Sequence, residues 1–188
     1  MTNDEMLALA RPIEGWMYDE ELMWLFEQAK KCRSIAEIGV WCGRSTTALC
    51  CGVSQVVPPG VVYAIDHFRG SPGEDEQHAR ARTPEGHDAL QADATHNLGS
   101  WIEEGSCMMC AGSSQEWAPL IPSRLDMVFI DGGHDYDSLT ADLDSYLPKI
   151  RRGGLICGHD RHWPGVAKGI EHWDDIIEGP GSIWSKQL

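Results

Sequence analysis

Apolar residues in this chain fall into short unbroken runs, separated by stretches in which they recur at helical spacing. Ser34 to Ile38, Val61 to Asp66, Ser106 to Ala111, Leu125 to Asp131 and Leu155 to Gly158 are the unbroken runs. Bounded by glycine, proline or an acid, they read as strands buried on both faces, as in parallel sheets. Asp19 to Lys31 carries Leu22, Leu25, Phe26 and Ala29 on one face, with acids first and lysines last, and predicts a helix. Ser45 to Val53, His87 to Glu103, Asp135 to Ile150 and Pro164 to Ile177 read the same way, the last with Val166, Ile170, Trp173 and Ile177 as its stripe. Ser182 to Ser185 is a candidate closing strand. Strand and helix alternating in this way predict an α/β fold: a doubly wound, mostly parallel sheet of about six or seven strands with helices on both faces. With little chain left after the last helix, a trimmed sheet, or an edge completed by a partner chain, is expected.

One segment breaks the rhythm. His67 to about Gly86 is polar, rich in glycine and proline, and holds no core-forming run. The expectation is one domain over 1–188, with a lid-like insertion at about 67–97 that covers a ligand. That stretch carries His67, His78, His87 and His96 together with Arg69, Arg80 and Arg82, which a solvated lid explains without specific contacts.

Ligands of such sheets sit beyond the carboxyl ends of the strands, and polar residues gather at those ends here. After the first strand comes Glu37-Ile38-Gly39-Val40-Trp41-Cys42-Gly43-Arg44-Ser45. Gly39 and Gly43 permit a tight turn and close backbone approach, and Ser45 stands where free helical N–H groups attract a carboxylate. It is not the G-x-G-x-x-G fingerprint of dinucleotide sites. Asp66 ends the second strand, where an acid accepts bonds from paired sugar hydroxyls or caps a turn. Gly112-Ser113-Ser114-Gln115-Glu116 follows the third and suits either a base edge or a helix cap. Asp131 ends the fourth and His159-Asp160 the fifth; adjacent strand ends bring them together as a metal-ligand set or a turn-capping set.

The formal net charge of −14 argues against nucleic acid or an anionic membrane as the main partner. No apolar stretch approaches a membrane span, and no export signal is visible. Seven cysteines then read as free thiols in a cytoplasmic chain. Cys107-Met108-Met109-Cys110 has the spacing of a redox or zinc pair, but strand alternation points its two thiols to opposite faces.

Taken together, Glu37 to Ser45, Ala64-Ile65-Asp66-His67-Phe68-Arg69-Gly70-Ser71-Pro72, Val128-Phe129-Ile130-Asp131-Gly132-Gly133-His134-Asp135-Tyr136 and Gly153-Gly154-Leu155-Ile156-Cys157-Gly158-His159-Asp160 resemble class I S-adenosylmethionine (AdoMet) methyltransferases. More narrowly they resemble the methyltransferase-24 family and, at greater distance, catechol O-methyltransferase. The resemblance implies the Rossmann-like class I fold and AdoMet as cofactor. It also implies that Ser45 holds the methionine carboxylate, Asp66 the ribose, and Ser114 with Gln115 the adenine, while Glu37, Gly39 and Gly43 shape the loop. The magnesium ligands of the catechol enzyme fall on Asp131, His159 and Asp160, and its catalytic lysine on His134. His159 departs from that all-oxygen set and points to a softer cation such as manganese, iron or zinc, or to none. Gly133 stands where an aromatic residue packs on adenine.

The function these features predict is O-methylation of a small-molecule hydroxyl, with His134 and Asp131 as catalytic residues and a divalent cation (Mg or Mn) assisting. A metal-dependent hydrolase or hydroxylase using His134, Asp131 and His159, and a non-catalytic AdoMet-binding protein, are the competing readings. Homo-oligomerisation is left open. Trp163, Trp173 and Trp184 face either a partner or the core.

Overall fold

A computed structural model of the chain describes residues 1–71 and 76–188. Five strands form its parallel centre: β1 (Ser34–Ile38), β2 (Val61–Asp66), β3 (Cys107–Ala111), β4 (Leu125–Ile130) and β5 (Ile150–Gly158). Two more, β6 (Ile177–Glu178) and β7 (Trp184–Gln187), are antiparallel, and the order is β3-β2-β1-β4-β5-β7-β6. The seven strands among the described residues answer the expected trimming of the sheet: the edge is completed by the chain's own C-terminal residues. Trp184 closes it, fully buried, with its indole N–H donating to the His159 carbonyl at 3.1 Å.

Apolar side chains pack in one cluster on each face of the sheet, which is why its strands read as unbroken runs. Cys107 belongs to one cluster and Cys110 to the other, so the C-x-x-C spacing is strand alternation. All seven cysteines are buried and free. Over the first face lie α1 (Asn3–Ala10), α2 (Asp19–Ala29), α3 (Arg44–Val53) and α4 (Pro84–Asn97), the last packed through Leu90 and Ala94. Then come α5 (Gly99–Glu103), α6 (Ser114–Trp117), α7 (Tyr136–Tyr146) and α8 (Pro164–Ile170), of which α7 and α8 pack on the second face through Leu139, Leu143, Val166 and Ile170. Among the described residues no helix is long and apolar enough to cross a membrane.

Four elements differ from the sequence expectation, each for a local reason. Helix α1 went unread although Thr2 and Glu5 form a capping box: Thr2 N–H donates to Glu5 Oε2 at 2.7 Å, and Glu5 N–H to Thr2 Oγ1 at 3.3 Å. The helix expected over His87 to Glu103 starts at Pro84, capped by Thr83, and breaks at Leu98, whose side chain is buried. The last helix stops at Ile170, because Asp175 turns the chain at φ 68° and Ile177 pairs with Ser185. Strand β5 begins at Ile150, upstream of the expected Leu155; Gly153 N–H donates to the Leu188 carbonyl at 2.6 Å, so the terminal strand draws the glycine pair into the sheet.

The turn after β1 has the least room. Gly39 sits at φ 92°, and a Cβ there would lie 2.1 Å from the Asp131 carbonyl oxygen. The atoms it would meet, in Asp131 and Gly132, are backbone, so no side chain can yield. Gly39→Ala is therefore expected to cost about 2–4 kcal/mol of stability in urea unfolding. A loss below about 0.5 kcal/mol would show that this approach is not tight.

Candidate active site

The carboxyl ends of β1, β2, β4 and β5 open into one cavity of about 630 Å³. That is mid-range for small-molecule sites, which span about 300–1,000 Å³. Its wall includes Gly39, Ser45, Asp66, Ser114, Gln115, Asp131, His134, His159 and Asp160, so residues far apart in the chain share one space. Glu37 and Gly43 are not on that wall. Gly43, at φ 91°, is the residue before α3, and a Cβ there would press on Leu98 at 3.0 Å.

Asp66 holds the turn after β1. Its Oδ2 accepts from the Val40 and Trp41 amides at 2.8 and 2.9 Å, and its Oδ1 from the Phe68 amide at 2.6 Å. Trp41 sits in the left-handed region at φ 51°, and the carboxylate contact holds it there. Three bonds leave about one of a carboxylate's four acceptor positions.

Glu37 lies fully buried behind Ser45, whose hydroxyl donates to Glu37 Oε1 at 2.6 Å. Oε2 finds no hydrogen-bond partner. Burial outweighs the hydroxyl bonds and pushes the Glu37 carboxyl up to about 8.

Ser114 and Gln115 share a partner that sequence reasoning missed. Both donate to Oδ1 of Asp142 on α7, Gln115 at 2.9 Å, and Asp142 lines the cavity. Burial raises its pKa to about 6 against the pull of these two donors. The Tyr146 hydroxyl donates to the Ser114 carbonyl at 2.9 Å and ties α6 to α7. Asp142 falls on the buried stripe of α7 with Leu139, Leu143 and Tyr146, so an acid inside an apolar stripe was the signal in the sequence, and the packing of α6 against α7 supplies its partners.

A buried polar chain runs from α2 to the cavity. His159 Nε2 is 3.0 Å from Glu21 Oε1, and its Nδ1 is 3.2 Å from Asp160 Oδ2 and 3.5 Å from Asp131 Oδ1. Asp160 Oδ2 is in turn 3.0 Å from His134 Nε2. Burial disfavours charge on His159, yet Asp131, Asp160 and Glu21 outweigh it and raise its pKa far above the usual imidazole range. Glu21, 1% exposed, also accepts from the Ser182 amide at 2.8 Å and the Tyr18 amide at 2.7 Å. Sequence reading placed Glu21 among the opening acids of a helix and gave no sign of this partner.

Both nitrogens of His159 thus face carboxylates. The residues whose ligand atoms gather, within 4.8 Å of one another, are Asp131, His134 and Asp160. This group contains two members of the expected metal set, with His134 in the position assigned to His159. A set of two histidines and one carboxylate does not assemble among the described residues.

Residues 36–161 match the methyltransferase-24 family model, a methyltransferase domain. The chain belongs to this methyltransferase family. Its fold is that of class I AdoMet-dependent methyltransferases, and membership displaces the hydrolase and hydroxylase readings. Among solved structures the methyltransferase is similar to the O-methyltransferase NovP, with TM-score 0.72 and 18% identity over 90% of this chain and 79% of that one. It is similar to the calicheamicin methyltransferase CalS11, with TM-score 0.64 and 17% identity over 89% and 77%. A third, an O-methyltransferase from Bacillus cereus in complex with SAH, gives TM-score 0.61 and 19% identity over 97% and 89%.

The raised pKa of Glu37 carries a sign. Below its ordinary value of 4.5, folded and unfolded chains are both protonated and the group costs nothing. As pH rises from there toward about 8, the unfolded chain ionises first and stability falls. Glu37→Gln removes this penalty. Its melting temperature relative to wild type is therefore expected to climb between pH 5 and 8 in thermal scans of both proteins (window from the two pKa values). A constant difference would place an ionised Glu37 in the folded chain.

Proposed function

We propose that this methyltransferase moves the methyl group of AdoMet to a hydroxyl oxygen of a small molecule. The observation that carries the reading is the single cavity that joins the β1 turn and Asp66 to the His134–Asp160 pair. When bound, the donor supplies an activated methyl on a sulfonium. The start of α3 at Ser45 offers N–H groups to the methionine carboxylate. Asp66 keeps an acceptor position for the ribose, and Ser114 and Gln115, oriented by Asp142, face the adenine. Gly39, Gly43 and Glu37 give the loop its shape.

Transfer to a hydroxyl releases a proton. With Nε2–H of His134 facing Asp160 at 3.0 Å, the imidazole takes the proton at Nδ1, and Asp160 stabilises the imidazolium. Asp131, on the same wall, helps orient the acceptor. The stretch at about 67–97 acts as the cover: His78 lines the cavity, whereas α4 is anchored in the core. Within that insertion 72–75 lie outside the described residues. Arg69, singled out in the sequence as a contact for an acidic or sugar-like acceptor, is exposed and does not line the cavity, so it gives such an acceptor no contact there. A cytoplasmic chain without nucleic-acid or membrane partners agrees with the net charge of −14 and the free thiols.

A metal-assisted variant has its own support in the gathered ligand atoms of Asp131, His134 and Asp160. Two oxygens and one nitrogen suit manganese or magnesium, which would lower the pKa of the acceptor hydroxyl.

S-adenosylhomocysteine is expected to bind with micromolar affinity in isothermal titration, and absence of binding overturns the donor assignment. His134→Ala should cut turnover at least about tenfold, since a general base contributes ~10²–10⁴, while leaving that affinity intact. Unchanged turnover would remove His134 from the mechanism. If the cluster holds a cation, manganese raises the melting temperature of chelator-treated wild type but not of Asp131→Asn/Asp160→Asn. A shift that survives in the variant would locate the cation elsewhere.

A further inference from the structure

Rings line the part of the cavity next to His134. The Trp16 and Trp41 centroids lie 5.1 Å apart, and His78 is 4.5 Å from Trp16 and 5.6 Å from Trp41. From His78 the row continues to His134 at 6.3 Å, and Trp163 stacks on His134 at 4.7 Å with a 27° tilt. All five side chains line the cavity. Trp16 is 43% exposed and Trp163 36%. Both lie outside the family-matched residues 36–161.

On the cavity wall carboxylates outnumber cations, and one of the cations, His159, is held between Glu21, Asp131 and Asp160. Glu14 and Asp137 line the same cavity as Asp131 and Asp160. Among the described lining residues Arg44 is the sole lysine or arginine, and its Nη1 donates to the Gly15 carbonyl at 2.6 Å. Arg80 divides its guanidinium between Glu14 and Asp93 and is not on the wall.

We propose that the methyl acceptor is a ring-bearing hydroxyl compound with a positive charge or none, and that acceptors carrying a phosphate, diphosphate or carboxylate are rejected. The inference rests on the methyltransferase reading of the site and narrows its substrate class. An indole face is negative at its centre, so it attracts a cation or the polarised C–H edge of a ring and repels an anion. Glu14 and Asp137 add to that repulsion, and the site offers no paired guanidinium fork to hold a diphosphate. A dication at Asp131, His134 and Asp160 would cancel two of the four carboxylates and leave Glu14 and Asp137 in force.

The test is isothermal titration of the S-adenosylhomocysteine-saturated protein, with and without manganese. The probes are tyramine, 4-ethylphenol, 4-hydroxyphenylacetate and thymidine diphosphate. Tyramine is expected to bind at least about tenfold tighter than 4-hydroxyphenylacetate, with 4-ethylphenol between them and thymidine diphosphate not detectably bound. Glu14→Gln/Asp137→Asn should narrow the gap between amine and carboxylate about threefold, and high salt should narrow it too. Trp163→Leu should weaken tyramine and 4-ethylphenol alike by about threefold or more, with the affinity for S-adenosylhomocysteine unchanged. Carboxylate or diphosphate binding as tight as the amine overturns the proposal, and so does failure of all three phenols to bind the saturated protein. Failure to bind S-adenosylhomocysteine itself refutes the underlying function instead.

Discussion

The turn after β1 passes between two strand ends at once, and the site depends on that passage. Gly39 N–H donates to the Ile65 carbonyl of β2 at 2.9 Å, and the Asp131 amide donates to the Ile38 carbonyl at 2.8 Å. The next two amides close on Asp66. One short run of backbone is therefore fixed against β2 on one side and β4 on the other. Only a residue without Cβ fits where it crosses the Asp131 carbonyl. The cavity floor and the ends of its walls are set by this crossing.

Behind that floor the protein buries acids, and it does so in two ways. Glu37 has a hydroxyl donor and no cation, and its burial favours the protonated form. Glu21 is buried just as deeply but faces His159 and two backbone amides, which keep its pKa below the usual value despite the burial. Removing one member of such a charged pair typically costs about 3–5 kcal/mol. The chain Glu21–His159–Asp160–His134 gives the reacting end a rigid backing that reaches into α2, outside the family-matched segment.

The cavity wall draws on the family-matched segment and on residues flanking it. Residues 36–161 supply the β1 turn, Trp41, Asp66, the α6 segment, Asp131 and His134. Flanking residues, Glu14, Trp16, Glu21 and Trp163 among them, supply the backing and the aromatic rim.

The sequence alone determined the alternation of buried strands and amphipathic helices. It also determined the placing of Gly39, Gly43, Asp66, Asp131, His159 and Asp160 at strand ends. These follow from local rules: a run of apolar residues has to be buried on both faces, and a turn needs glycine where φ is positive. Tertiary structure decided which polar atoms meet. His159 and His134 look interchangeable in the sequence, but adjacency to α2 gave both nitrogens of His159 to carboxylates and left His134 on the cavity wall beside Trp163. Glu21 and the ring contacts of Trp16 were equally unreadable, because each depends on which helix packs beside which loop, whereas Asp142 was marked as an acid within the α7 stripe and only its partners were hidden. The last helix was over-read for the same reason: Ile177 fits a helical stripe, yet pairing with β7 offered its backbone better partners. Periodicity records what a segment must bury and is silent about its neighbours across the sheet.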